Sequence, residues 1–206
     1  MELAKFSRAV AVVALASTAV LSVTLAVQAA ESVRLRGTIT TFEGSTLTIK
    51  TREGEDKTIV LPEGWKVSSV AEASADDIKT GDFVGIASLP NEDGSDGALE
   101  VLIFPAAMKN AGASFAWDLQ PGSTMTNATV ADAVTSVDGR TVKVAYEGGE
   151  KTIDIPEATP IVTFAPATTA DLIAGATVFV PAELADDGTI SAQTVVVGTK
   201  GVVPPM

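Results

Sequence analysis

The sequence predicts an all-β protein. We expect a tandem duplication of a small five-stranded barrel, each copy with one short helical turn, after an N-terminal signal peptide. One observation is a repeat, because residues 57–63 (KTIVLPE) recur as residues 151–157 (KTIDIPE). Another is a succession of short, alternating apolar segments separated by Gly, Asp and Pro. Matched motifs in a matched order predict two copies of one structural unit.

Residues 1–29 are predicted to form the signal peptide. Lys5 and Arg8 precede a charge-free run rich in Ala and Val, and Val27-Gln28-Ala29 supplies the small-residue pattern of a cleavage site. A retained membrane anchor is the alternative, because the apolar run is long for a signal. Cleavage after Ala29 predicts a periplasmic or secreted protein with no stable membrane span.

The composition limits the possible chemistry. Removing residues 1–29, whose net charge is +1, takes the formal net charge from −12 to −13 and leaves 177 of the 206 residues. The chain has no Cys and no His, which excludes disulfides, Cys nucleophiles, zinc sites built on Cys or His, and His-dependent triads. Any metal site would therefore use oxygen ligands alone.

The first copy, residues 30–104, shows five strand patterns in order. Their ranges are 33–39, 47–50, 58–61, 83–87 and 99–104. Between the third and fourth strands, Ser74 and Asp77 have the spacing of a capping box, and Gly81 ends the short helical turn. This element order is that of a small OB-like barrel, and closing the sheet removes its exposed edges.

The second copy, residues 125–200, repeats this order, with its helical turn at residues 168–174. Residues 134–139 match residues 39–44 at an offset of 95, against 94 for residues 151–157 and 57–63, so the hairpin between these two blocks differs by one residue. Apolar alternation then predicts equivalent buried positions in the two copies. The predicted core is Ile39, Leu47, Ile49, Ile59, Leu61, Ile78, Val84, Ile86, Val101 and Ile103, with Val134, Val142, Val144, Ile153, Ile155, Leu172, Val178, Val180, Val195 and Val197.

Residues 105–124, between the copies, are predicted to form an interdomain strap. Ala, Gly, Asn and Pro dominate the segment, but a purely flexible linker would not also carry Phe115, Trp117 and Leu119. The predicted interdomain packing residues are Trp117, Leu119 and Pro121. Residues 201–206 (GVVPPM) are predicted to form an extended tail.

Few residues suggest a chemical site, and we predict no catalytic residues and no cofactor. One loop carries four oxygen-bearing side chains, which makes weak candidate metal ligands of Asn91, Asp93, Ser95 and Asp96. The simpler interpretation of that loop is a solvated hairpin turn. Asp76 and Asp77 are predicted to cap and stabilise the N-terminus of the short helical turn rather than to form an acid–base pair. Trp65 is predicted to plug a barrel.

Several segments together resemble a known family. They are residues 37–39 (GTI), 47–50 (LTIK), 78–85 (IKTGDFVG), 117–127 (WDLQPGSTMTN) and 201–206 (GVVPPM). They are similar to a group of exported proteobacterial proteins of a domain-of-unknown-function family with OB-like β-barrels, some of which are labelled metal ABC transporter permease. The resemblance implies an envelope location and a duplicated barrel, but no established activity. One apolar segment is too little to build a permease channel.

The predicted function is a non-catalytic exported binding or interaction module whose partner is an unknown envelope protein or small ligand. The alternative is a metal-handling accessory protein of an envelope ABC transporter that uses carboxylate ligands. Nucleic acid is not an expected partner, because a net charge of −13 opposes the phosphate backbone and the basic residues are not expected to alternate with aromatic ones. The one basic stripe that could bind it would comprise Arg34, Arg36, Lys50 and Arg52.

Overall fold

The computed structural model of this chain describes residues 31–136 and 139–205, without the side chains of 134–139. The predicted signal peptide lies outside these residues. The described part contains fourteen strands and three single 3-10 turns, η1–η3. Repeat 1 contributes β1 (Glu31–Glu43), β2 (Thr46–Thr51), β3 (Asp56–Val60), β4 (Lys66–Glu72), η1 (Ala75–Asp77), β5 (Phe83–Pro90) and β6 (Asp96–Ile103). None of the described helical turns is long and apolar enough to cross a membrane.

The linker and repeat 2 complete the chain. The linker contains η2 (Ala106–Met108) and β7 (Ala113–Ala116), and β7 pairs with the first strand of repeat 2. Repeat 2 contributes β8 (Thr124–Ser136), β9 (Gly139–Tyr146), β10 (Gly149–Pro156), β11 (Ile161–Pro166), η3 (Thr169–Asp171), β12 (Thr177–Leu184), β13 (Ile190–Ser191) and β14 (Thr194–Gly198). Each repeat thus has the same order of elements, with the last strand of repeat 2 split into β13 and β14.

The strands close into two small barrels, which confirms the predicted all-β barrel fold. Barrel A runs β1–β2–β3–β13–β12 and closes where β12 pairs antiparallel with β1. Barrel B runs β8–β9–β10–β6–β5 and closes where β5 pairs with β8. Both barrels belong to one continuous sheet.

The barrels do not coincide with the repeats, so the predicted domains, residues 30–104 and 125–200, are wrong as separate barrels. Barrel A takes its first three strands from repeat 1 and the others from repeat 2, and barrel B does the reverse. Ile59 of β3 pairs in register with Ile190, and the equivalent Ile153 of β10 pairs with Asp96. Because duplicated strands present duplicated edges, the alternation within a strand does not tell which copy supplies its partner.

A pseudo-twofold axis passes between β4 and β11 at the centre of the molecule. These two equivalent strands pair antiparallel, with Val70 opposite Phe164. Around them lies a junction cluster of buried side chains, which comprises Val70, Leu102, Val162, Phe179 and Val196. The repeats are therefore joined through the sheet and through a shared core.

The predicted core positions are buried, with two exceptions. Eighteen of the twenty are buried, Ile103 is half-buried against the core of barrel B, and the side chain of Val134 lies outside the described part. Because each barrel contains strands of both repeats, a residue and its equivalent can lie in different cores from those predicted. Ile78 of repeat 1 lies in the core of barrel B, and Leu172 of repeat 2 lies in that of barrel A.

The first hairpin of repeat 2 is four residues longer than that of repeat 1, so the predicted match of residues 134–139 to residues 39–44 is wrong. Phe42 pairs with Leu47, and Ala133 pairs with the equivalent Val142, so β8 matches β1 at an offset of 91 while β9 matches β2 at 95. The buried Val130, rather than Val134, is therefore the equivalent of Ile39. The similar turn sequences at residues 41–44 and 136–139 suggested the wrong alignment.

The predicted capping boxes are present at both short helical turns. Asp77 Oδ2 accepts hydrogen bonds from the backbone N–H and the hydroxyl of Ser74, both at 2.8 Å. These bonds lower the pKa of Asp77. Thr168 and Asp171 repeat the arrangement in η3. The capping interpretation of Asp77 is confirmed.

Candidate binding site

One end of barrel A is closed by the aromatic pair Phe42 and Trp65. We call this end the mouth and define it by the β1–β2 and β3–β4 turns. Phe42 and Trp65 meet edge to face, with ring centroids 5.8 Å apart, and both pack against the core of barrel A. Trp65 therefore has the predicted role of a barrel plug.

Barrel B lacks this aromatic pair at its own mouth. The register places Ala133 where barrel A has Phe42. Thr159 takes the place of Trp65, and both residues donate their backbone N–H to the equivalent proline carbonyl, Pro62 or Pro156, at 3.1 and 3.0 Å. Two large rings are thus replaced by a methyl group and a small hydroxyl side chain.

A pocket of about 890 Å³ lies at this second mouth. We call it the mouth pocket. Its walls come from the start of η1, the β10–β11 turn and residues 200–203. Ile155, Ile161 and Val162 supply apolar surface, and Ser74 and Thr159 supply hydroxyl groups. An apolar wall with a few polar groups is typical of small-ligand sites.

Arg140 forms a fixed wall of the mouth pocket. Its side chain is only 10% exposed, Nη1 donates to the carbonyl of Ile78 at 2.9 Å, and Nη2 donates to Asp76 Oδ1 at 2.9 Å. Asp76 therefore pairs with Arg140, while its neighbour Asp77 caps η1. The remaining charged groups of the wall, Glu72, Glu157 and Lys200, form no ion pair within the described part of the chain.

The four candidate metal ligands lie on the β5–β6 hairpin, where three are joined by hydrogen bonds and Asp96 points away from them. Ser95 donates its N–H and its hydroxyl to Asp93 Oδ1, at 2.9 and 2.7 Å, and Asn91 donates to Ser95 Oγ at 2.9 Å. Asp96 points away from this turn and accepts from Lys151 Nζ at 2.8 Å. Across residues 31–136 and 139–205 no group of three or more acidic side chains is placed to hold a metal ion.

Asp96 instead belongs to a polar network inside barrel B that sequence reasoning missed. Asp96 also accepts from Ser88 Oγ at 2.9 Å, and Lys151 Nζ donates to Thr124 Oγ1 at 3.0 Å. Ser88 is fully buried, and Asp96 and Lys151 are only 13% and 23% exposed. The equivalents of Ser88 and Asp96 in barrel A are Ala182 and Ile190. That change of residue type between the repeats was the available signal.

The predicted interdomain packing residues behave differently from one another. Trp117 is half-buried against the junction cluster, with its ring centroid 6.5 Å from that of Phe179. Leu119 lines a smaller pocket of about 300 Å³. Pro121 is exposed. Trp117 is therefore the residue that fastens the strap to the exchanged sheet.

Two arginines of the predicted basic stripe surround Trp117. The guanidinium of Arg34 lies 4.2 Å from the ring centroid of Trp117, and that of Arg36 lies 5.2 Å from that of Phe179. Asp118 pairs with Arg36 at 2.8 Å and with Arg34 at 3.9 Å. Burial alone would raise the pKa of Asp118, but the hydrogen bond and charge of Arg36, with the charge of Arg34, lower it overall. The expectation that basic residues would not alternate with aromatic ones is wrong here.

The other half of the stripe lies beside these residues. The backbone N–H of Arg52 donates to the carbonyl of Arg36 at 3.0 Å, and Thr38 of β1 pairs with Lys50 of β2. The strands of the stripe are therefore neighbours, as the sequence suggested. The aromatic faces near them are already covered by arginine side chains and ion pairs.

No protein-family model matches the chain, and neither a curated protein nor a solved structure matches it.

Proposed function

We propose that this protein is a non-catalytic, exported binding module of the periplasm that takes its ligand at the mouth of barrel B. The observation that carries the proposal is the replacement of Trp65, which plugs barrel A, by Thr159, which lines the mouth pocket. A duplicated barrel keeps one mouth plugged and has about 890 Å³ of space at the other. That volume lies in the usual range for small-ligand sites.

The groups around the mouth pocket favour binding over catalysis. The hydroxyl of Ser74 donates to Asp77, and the guanidinium of Arg140 is held by Asp76 and the Ile78 carbonyl. Nucleophilic catalysis needs a hydroxyl or amine in hydrogen-bond contact with a base near a reacting group. The Ser74–Asp77 contact serves instead to cap η1. These polar groups are suited to shaping and orienting a ligand.

The observed ion pairs bear on the other candidate partners. Arg34 and Arg36 share Asp118, which offsets part of the charge that would attract a phosphate backbone. We therefore do not propose nucleic acid as a ligand. A metal-handling accessory protein with carboxylate ligands has less support than a binding module. Lys151 forms an ion pair with Asp96, and Ser95 donates a hydrogen bond to Asp93.

Filling the pocket tests the proposal. Thr159→Trp should restore the plug that Trp65 supplies in barrel A. The wild-type melting temperature should rise with at least one fraction of a small-molecule panel or envelope extract, because a bound ligand stabilises the folded state. The Thr159→Trp variant should lose that rise. Thr152→Trp, at an exposed position of β10 away from the pocket, is the matched control and should keep it. An undiminished rise in Thr159→Trp would contradict the proposed site.

A further inference from the structure

Residues 199–205 cross the junction between the barrels, and we call them the Pro-Pro segment. Lys200 and Gly201 turn the chain after β14 with φ angles of 54° and 84°. Val202 then packs against the junction cluster, and Pro204 and Pro205 are buried. The predicted extended tail is therefore seated on the protein, although Val203 within it is 63% exposed.

The Pro-Pro segment is held by packing rather than by a β-ladder. Val202 N–H donates to the carbonyl of Thr199 at 3.0 Å, and this bond lies within the segment's own turn. Pro204 and Pro205 have no backbone N–H to donate. Among the described residues no strand pairs with 199–205. Apolar contacts of this kind can be exchanged for those of a similar peptide without breaking a sheet.

Space remains on every side of the segment. The mouth pocket adjoins residues 200–203, the pocket of about 300 Å³ adjoins 203–205, and a third of about 720 Å³ adjoins 198–200 and 202. We call the surface under the segment, together with these three pockets, the junction groove, and it is larger than its present occupant. Three adjoining pockets along one extended segment form a track suited to a peptide rather than to a compact molecule.

Comparison of the repeats shows a glycine at the point where the segment comes closest to β14. In repeat 1 the ring of Phe104 covers Gly85, with Cε2 3.0 Å from where a Cβ would lie. The residue equivalent to Phe104 in repeat 2 is Gly198. A Cβ there would collide with the carbonyl of Val202 and lie 3.0 Å from Pro204 Cδ. The residue equivalent to Gly85 is Phe179, so repeat 2 carries its aromatic ring on the other strand and has a glycine where the segment comes in close.

From these contacts we propose that the Pro-Pro segment is an internal, displaceable occupant of the junction groove, which binds an extended proline-containing peptide of a partner protein in its place. The inference rests on the proposed function, because it takes the groove beside the mouth pocket as the binding surface. Proline-rich peptides suit such a groove because their extended conformation is formed before binding, which lowers the entropic cost. The apparent affinity for a peptide equals the intrinsic affinity multiplied by the fraction of molecules in which the segment has left the groove.

The test uses a fluorescent synthetic peptide with the sequence of residues 199–206 and the full mature chain. Val202→Asp should unseat the segment, because it puts a charge against the junction cluster. Val60→Asp is the matched control, since that side chain is 42% exposed on β3 and lines none of the three pockets. By anisotropy, the peptide should bind Val202→Asp at least about tenfold more tightly than it binds either the wild type or Val60→Asp. A peptide with both prolines replaced by glycine should bind more weakly.

Pro204→Asp serves as a second unseating variant, and circular dichroism reports whether each variant is folded. Absence of binding to folded Val202→Asp and Pro204→Asp overturns the proposal. Equal affinity for all the chains also overturns it, because the peptide then binds elsewhere. Unfolding of both variants shows that the segment is a permanent part of the core. A wild-type dimer that exchanges this segment would assign the groove to a second copy instead. Any of these results, with the Thr159→Trp effect intact, leaves the proposed function standing.

Discussion

Trp117 is held by charge as well as by burial. The indole lies between the junction cluster and the guanidinium of Arg34, while Asp118 fixes both nearby arginines. A cation over an aromatic face contributes about 0.5–1 kcal/mol where it is partly exposed. The indole Nε1 is buried without a hydrogen-bond partner among the described residues. Packing and the stacked arginine, rather than a hydrogen bond from its own N–H, therefore hold the indole of Trp117.

We predict that Trp117→Ala lowers the free energy of unfolding by about 3 kcal/mol, because it removes a large ring from a packed junction. Trp117→Phe should cost about 1 kcal/mol or less, since it keeps an aromatic face and loses no hydrogen bond. Denaturant unfolding followed by circular dichroism measures both. Equal costs for the two variants would show that the indole N–H has a role in holding the strap.

The residue-scale predictions from sequence succeeded where the signal was local. Ser74 and Asp77 form a capping box whose spacing is visible within four residues. Trp117 stands out because a large aromatic ring is unusual in a segment rich in Ala and Gly. The stack of Arg34 on Trp117 was not predictable, because it depends on which strands meet far apart in the chain.

Among the elements, β6 differs in chemistry from its equivalents β13 and β14 at its first residue. Asp96 of β6 pairs with Lys151 of β10, whereas Ile190 of β13 packs against the core of barrel A. A buried ion pair adds little net stability over an apolar pair, but removing one partner leaves a costly buried charge. The Asp96–Lys151 pair joins a strand of repeat 1 to a strand of repeat 2. It therefore acts across the exchanged boundary.

Lys151→Met should lower the free energy of unfolding by about 3 kcal/mol, because it leaves Asp96 buried without its cation. Adding Asp96→Ile, the residue type of barrel A, should recover more than half of the loss. The recovery should be incomplete because Ser88 and Thr124 lose hydrogen-bond partners. A double-mutant cycle in denaturant measures the coupling. A double variant less stable than Lys151→Met would contradict this account.

Five strand positions in each repeat were predictable, but β4, β7 and β11 were missed and the assignment of strands to barrels was wrong. Alternation, turn residues and caps are local, and they located β2, β3 and β5 near their observed bounds. Closure of a barrel depends on which strand edges pair with each other, and the two repeats supply equivalent strands with similar sequences. β4 and β11 pair at the centre of the molecule, and at these strands the chain of each repeat passes from one barrel to the other. The open mouth was likewise invisible until the longer hairpin of repeat 2 had been aligned through its pairing.

On the scale of the whole molecule, the exchange predicts that a cut linker will not separate the halves. A protease site inserted between Lys109 and Asn110, both exposed, should be cleaved without loss of the folded structure. The two fragments should elute together on gel filtration in native buffer, because each barrel contains strands from both. They should separate only in denaturant. Elution as two species in native buffer would contradict the exchanged topology.

The exchanged sheet also restricts how this gene can change. Recombination that moved one repeat into another gene would carry three strands of one barrel and two of the other, and neither set closes. A deletion of one repeat would likewise leave two open sheets. The two repeats are therefore inherited as an indivisible pair, even while residues at their separate mouths diverge.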